Sequence, residues 1–209
     1  MQQKDAILKL IEIAPLLDKI SFKDVLELTS PYKLHPINLS QEDDKELIED
    51  LIKSCKGLLA LATKTRRRYE GARINEVSKS IENELVEEIR KTGLSTKILS
   101  AQGYPDIELK DRHNRVTYLE VKISSKKKQT GFRTFYYSNG KKIASDARHL
   151  LLGLLVIKES DNYWKIEEWT LTDLSKLNVH LKAEFNASNI AIYTEASTLA
   201  KSHADSDLF

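Results

Sequence analysis

"YPDIELKDRHNRVTYLEVKIS", residues 104–124, is the stretch that decides how this 209-residue chain folds and which of its side chains meet. Two alternating segments, 104–111 and 115–124, flank a polar tip. Side chains alternate faces along a strand, so Asp106, Glu108 and Lys110 share one face, with Ile107 and Leu109 on the other. On the second segment Glu120, Lys122 and Ser124 share a face, opposite Leu119, Val121 and Ile123. Register decides whether the two acidic faces coincide, because a one-residue slip inverts every side chain. A three-residue turn of Arg112, His113 and Asn114 places Asp106 opposite Glu120 and Glu108 opposite Tyr118. Asn114, last in that turn, tolerates the left-handed backbone such turns use. A two- or four-residue loop would split the acids between the faces.

Two carboxylates opposed across a strand pair repel, at a cost in stability unless a cation lies between them. Hard oxygen donors in small number, with positions left for water and a phosphate oxygen, suit Mg²⁺. Such an ion acidifies water and stabilises charge developing on phosphate. Lys122, two residues beyond Glu120 on the same face, can orient or deprotonate a water or neutralise the transition state.

The segments around this hairpin set the fold class. Residues 1–65 read as a helical N-terminal region. "DAILKLIEIAPLLDKI" is helical with an interruption at Pro15, and Ser21 caps "SFKDVLEL". "SPYKLHPINL" is a connector, and Ser40 with Asp43 forms a capping arrangement ahead of the stripe Leu47, Ile48, Leu51, Ile52, Cys55. "TRRRYEGARINEVSKSIENELVEEIRKTG" reads as one long helix, or two joined near Gly71, ending at Gly93. "STKILSAQ" is a further strand, "FRTFYYS" a strand or extended arm, "ASDARHL" a short helix, and "LLLGLLVI" a buried strand. "YWKIEEWTL" and "HLKAEFNAS" add strands over residues 158–209, and "SHADSDLF" is a frayed tail. The expectation is a single α/β domain, a mixed sheet flanked by helices with a helical N-terminal region.

Composition narrows the class. Charged residues are 31% and hydrophobic residues 41%, as in ordinary soluble chains. One cysteine, Cys55, excludes a disulfide framework within the chain and reads as a core thiol. No signal-like leader or long apolar run is present, so a soluble cytoplasmic protein is expected. His113 and His149 read as exposed or structural, and no glycine-rich phosphate cradle suggests an ATP-driven machine. The net charge of +2 conceals a basic segment from Lys122 to Arg148, in which Asp146 is the single acid. That asymmetry points to an anionic partner. Arg66, Arg67 and Arg68 could clamp backbone phosphates. Ser124, Ser125, Lys126, Lys127, Gln129, Arg133 and Tyr136 supply groups for phosphate and base-edge contacts.

Pro105-Asp106, separated by thirteen intervening residues from Glu120-Val121-Lys122, resembles the PD-(D/E)xK nuclease motif, most familiar in type II restriction endonucleases. The order of elements over residues 81–157 is also similar to that family's catalytic core. The resemblance implies a restriction-endonuclease-like fold and sequence-specific, Mg²⁺-dependent hydrolysis of double-stranded DNA. It assigns the metal to Asp106 and Glu120 and the assisting role to Lys122. A glutamate from the preceding helix joins some relatives' sites; Glu84 is the preferred match here, ahead of Glu87, Glu88 and Glu76. A homodimer and a cognate DNA methyltransferase are further implied partners. Two alternatives stay open: a repair or junction-resolving nuclease of the same fold, and a non-catalytic DNA-binding module.

Overall fold

The central hairpin pairs Ile107 with Leu119 and Glu108 with Tyr118, the register of the three-residue turn. In this computed structural model, which describes residues 2–99, 103–125, 135–138 and 141–182, Asn114 adopts φ +59° at the end of that turn. The Asp111 side chain accepts hydrogen bonds from the His113 and Arg115 amides, at 2.9 and 3.0 Å, and so fixes the tip. Burial alone would raise the Asp111 carboxyl, but these bonds and Arg115 hold it below the usual carboxylate range.

Two units divide the chain. One joins Met1–Asp18 to His180–Phe209, and its described part is a helix α1 (Gln2–Ile13) that gives way at Pro15 to a short 3-10 turn, Ala14–Leu16. Pro15 lacks the amide a continuing helix needs. The other unit, Lys19–Val179, carries the hairpin. It begins with β1 (Ile20–Ser21), α2 (Phe22–Thr29), β2 (Leu34–His35) and α3 (Glu42–Thr63). β3 (Tyr69–Glu70), α4 (Ile74–Arg90) and β4 (Ser95–Ile98) follow, then the hairpin strands β5 (Ile107–Lys110) and β6 (Val116–Ser124). β7 (Ala147–Ser160), β8 (Tyr163–Asp173) and β9 (Asn178–Val179) complete it.

Seven strands form one mixed sheet in the order β3-β8-β7-β6-β5-β4, with β2 alongside β7. β6 and β7 are parallel, whereas β4-β5, β5-β6 and β7-β8 are antiparallel. The apolar stripes of α3 and α4, including Leu51, Leu58, Ile81 and Leu85, cover one face. They meet Ile107, Leu109, Leu119 and Val121, the apolar alternation of the hairpin. Cys55 belongs to this core, and burial pushes its thiol up to about 12, so it is inert. On the other face Phe22 and Leu26 of α2 pack with Tyr104, Tyr118 and Ala147. His149 lies fully buried there, its Nδ1 2.5 Å from the Tyr104 hydroxyl. Burial lowers its pKa to about 3, so it is neutral and structural.

Ser21 caps α2, accepting from the Asp24 amide, and Gly93 ends the region of α4 at φ +94°. Three sequence expectations are corrected. "TRRRYEG" is not helical: Tyr69 and Glu70 pair with Trp164 and Tyr163 as an edge strand, and helix resumes at Ile74. Gly71 at this junction has no room for a side chain, since a Cβ would lie 2.9 Å from Val77 Cγ1. Ser40 does not cap α3; the chain there is fixed by Asp44, which reaches back to the Asn38 amide at 2.9 Å. "ASDARHL" is not a helix: Ala147 and Arg148 pair with β2, and Arg148 also pairs with Thr117 of β6, so strand begins there. Of "FRTFYYS", expected as a strand or extended arm, residues 132–134 lie outside the described residues; residues 135–138 form no strand, and Phe135 and Tyr137 pack against Phe22. "SHADSDLF" and most of "HLKAEFNAS" lie outside the described residues.

The left-handed turn residue makes the register testable. Asn114→Val should cost about 1–2 kcal/mol, read as a lowered midpoint in urea unfolding, whereas Asn114→Gly should be close to neutral.

Candidate active site

Continuing the β5-β6 register by one residue sets Asp106 against Glu120. Asp106 lies just ahead of β5, its amide donating to Leu119 O at 3.2 Å and its Oδ2 accepting from the Val121 amide at 2.8 Å. Glu120 and Lys122 project from the Tyr118 face of β6, and Lys122 Nζ is 2.5 Å from Glu120 Oε1. Glu120 is 3% exposed, and its Oε2 is buried with no donor among the described residues. The group beside it is the Asp106 carboxyl. Burial first, then the Asp106 charge, pushes the Glu120 carboxyl up to about 7 despite Lys122. Two oxygen donors are thus held together at a standing electrostatic cost.

Helix α4 adds a third acid, and it is Glu82. A cleft of about 190 Å³ is lined by Ser78, Glu82, Asp106, Val121, Lys122 and Ile123. Burial and the nearby Asp106 charge raise the Glu82 carboxyl, with Lys79 and Lys122 opposing. Glu84 is turned elsewhere. Its Oε1 accepts from Arg67 at 2.7 Å and its Oε2 from the Tyr69 hydroxyl at 2.6 Å. Residues two apart on a helix project about 200° apart, so Glu82 and Glu84 flank the buried stripe on opposite sides. Glu76 caps the start of α4, Glu87 pairs with Arg90, and Glu88 pairs with Lys91. The apolar stripe marked where α4 was buried, but not which flank faced the hairpin; the sequence signal for Glu82 was therefore no stronger than that for Glu84.

The basic residues divide. Arg67 lies over the Tyr69 ring at 5.3 Å and pairs with Glu84, while Arg68 pairs with Glu159 and donates to Ala62 O at 3.0 Å. Both therefore have acid partners, Arg67 remaining exposed and Arg68 partly buried, and Arg66 is exposed at φ +55°. Ser124 is buried at the end of β6, and Ser125 and Tyr136 are exposed. Lys126, Lys127, Gln129 and Arg133 lie outside the described residues. A second group at the hairpin tip, Asp43, Glu46 and His113, brings its ligand atoms within 4.8 Å of one another. Arg115 already pairs with Asp43 at 3.3 Å and Arg112 with Glu46 at 3.0 Å, which meets the charge there without an ion.

A mixed sheet flanked by helices, with acids and a lysine carried on adjacent central strands, places this chain among proteins of restriction-endonuclease-like fold. The family model described as the type II restriction enzyme MjaV family matches residues 16–196. Type II restriction enzyme MjaV of Methanocaldococcus jannaschii is 37% identical over 204 residues, covering 87% of this chain and 88% of its own. The chain belongs to the MjaV family of type II restriction enzymes. Among the described residues no helix is long and apolar enough to cross a membrane.

The raised Glu120 pKa has a definite consequence. A carboxyl whose folded pKa exceeds its unfolded value stabilises the fold at low pH and loses that contribution as pH rises from about 4.5 through about 7. In EDTA, Glu120→Gln should therefore melt higher than the parent at pH 8, by about 2–4 °C, with little difference at pH 4.5. Scanning calorimetry at the two pH values measures this.

Proposed function

We propose that the chain hydrolyses phosphodiester bonds of double-stranded DNA at a specific sequence, using Mg²⁺ held between Asp106 and Glu120. The observation that carries this reading is the buried, donorless Glu120 Oε2 set beside a second carboxylate, a donor set suited to a small hard cation. When bound, the ion supplies Lewis acidity to water and to the scissile phosphate. Glu82, which lines a cleft with Asp106 and Lys122, extends the acidic set on the helix side. Lys122 is the cationic side chain of the site. Its ammonium, now against Glu120 Oε1, stands on the face where a phosphate oxygen would develop charge, and it orients the attacking water or donates to that oxygen.

Arg66, Ser125, Tyr136 and the basic segment that includes Lys126, Lys127, Gln129 and Arg133 are the residues proposed to contact DNA, with Ser124 at the strand end. Phosphate contacts from such residues orient the duplex, while base-edge contacts select the sequence. A homodimer would present one site to each strand of a two-fold symmetric target. A methyltransferase of the same specificity would protect host DNA, and both enzymes would act in the cytoplasm. One domain, with its catalytic core over residues 81–157, serves this reading.

Plasmid cleavage with end-sequencing of the fragments tests it. The parent should give discrete fragments in Mg²⁺ and none in EDTA. Asp106→Asn and Lys122→Ala should each slow cleavage by about 10²-fold or more while metal-free DNA binding persists. Glu82→Gln should slow cleavage by about tenfold or more, and Glu84→Gln by far less. Parent-like cleavage by Asp106→Asn removes the site assignment.

A further inference from the structure

Four hydrogen bonds fix the backbone and side chain around Asp106. Its amide donates to Leu119 O at 3.2 Å, its carbonyl accepts from the Leu99 amide at 2.8 Å, and its Oδ2 accepts from the Val121 amide at 2.8 Å. All three donors or acceptors on the far side are backbone groups, which almost any sequence would supply. The fourth is different. The carbonyl of Pro105, in the same peptide plane as the Asp106 amide, accepts from Lys142 Nζ at 2.7 Å.

Lys142 does more than touch this one carbonyl. Its ammonium also donates to Leu99 O at 3.3 Å and to Gly103 O. An ammonium has three protons, and three carbonyls on the two sides of the Leu99–Pro105 segment take them. Leu99 in turn lines a cleft of about 200 Å³ with Asp106 and Glu82. The peptide plane ahead of Asp106 is thereby held at both edges, its N–H by β6 and its C=O by Lys142. Rotation of that plane would swing the Cα–Cβ bond of Asp106 away from Glu120. Lys142 belongs by sequence to the basic segment that suggests DNA contact, yet its donors face the protein.

We propose that Lys142 is a positioning residue that clamps the carbonyls of Leu99, Gly103 and Pro105 and so aims the Asp106 carboxylate at the cation it shares with Glu120. This rests on the reading of Asp106 as a metal ligand. Groups that orient a ligand without touching the ion commonly govern affinity by tenfold or more.

The test uses the full chain without DNA, with Mn²⁺ as the probe and the free aquo-ion counted by electron paramagnetic resonance. Lys142→Met should weaken Mn²⁺ binding about tenfold or more, and Lys142→Arg, which keeps the charge and some donors, should recover part of the loss. Metal-free DNA affinity of both variants should stay within about twofold of the parent, because the ammonium faces carbonyls. Parent-like Mn²⁺ affinity in Lys142→Met overturns the clamp. So does weakened metal-free DNA binding with Mn²⁺ binding unchanged, which would make Lys142 a phosphate contact. If Lys142→Met fails to fold, Lys142→Gln, which removes the ammonium, decides in its place, and Mn²⁺ binding by Lys142→Gln indistinguishable from the parent again overturns the proposal. Asp106→Asn is the separate control: if it binds Mn²⁺ like the parent, the ligand assignment fails, whatever Lys142 does.

Discussion

Two carboxylates forced together at the head of an antiparallel strand pair are the constraint on which the rest of this structure depends. Asp106 and Glu120 repel one another in a setting that hides Glu120 from water, and the raised Glu120 pKa records that cost. A fold tolerates such a pair where the surrounding structure over-determines it. Here the surroundings are the β5-β6 register, the left-handed Asn114 turn, and the backbone bonds from Leu119, Val121 and Leu99. Lys122 relieves part of the repulsion from within the site.

The same arrangement explains how the two faces of the sheet divide the work. Leu119, Val121 and Ile123 turn toward α3 and α4 and bury the core, leaving Tyr118, Glu120 and Lys122 on the other face. Tyr118 packs with Tyr104 and His149, so the segment leading into Asp106 is anchored by aromatic rings behind it. His149 is apolar in effect: a neutral ring whose Nδ1 meets the Tyr104 hydroxyl. Core and site therefore share strands, and alternation keeps them apart.

Charge was the least transferable feature of the sequence. Arg66, Arg67 and Arg68 form one basic run in the chain, but Arg67 and Arg68 are committed to Glu84 and Glu159. Lys142 lies in the basic stretch after Lys122, but its ammonium serves backbone carbonyls. A run of like charges counts residues; it does not count the acids and carbonyls that folding brings to them from far along the chain. Helix and strand boundaries failed for a related reason. Tyr69-Glu70 and Ala147-Arg148 extend only because β8, β2 and β6 offer them partners.

By itself the sequence determined the two strands of the hairpin and the faces of each, because alternation is a local property. It named the three-residue turn as the condition for bringing the acids together; the register that meets that condition is a property of the folded pair. It likewise determined the buried stripes of α3 and α4 and the inert place of Cys55. Tertiary structure alone decided that Glu82 rather than Glu84 faces Asp106, since a helical stripe specifies the buried side and leaves its two flanks equivalent until a sheet packs against one of them.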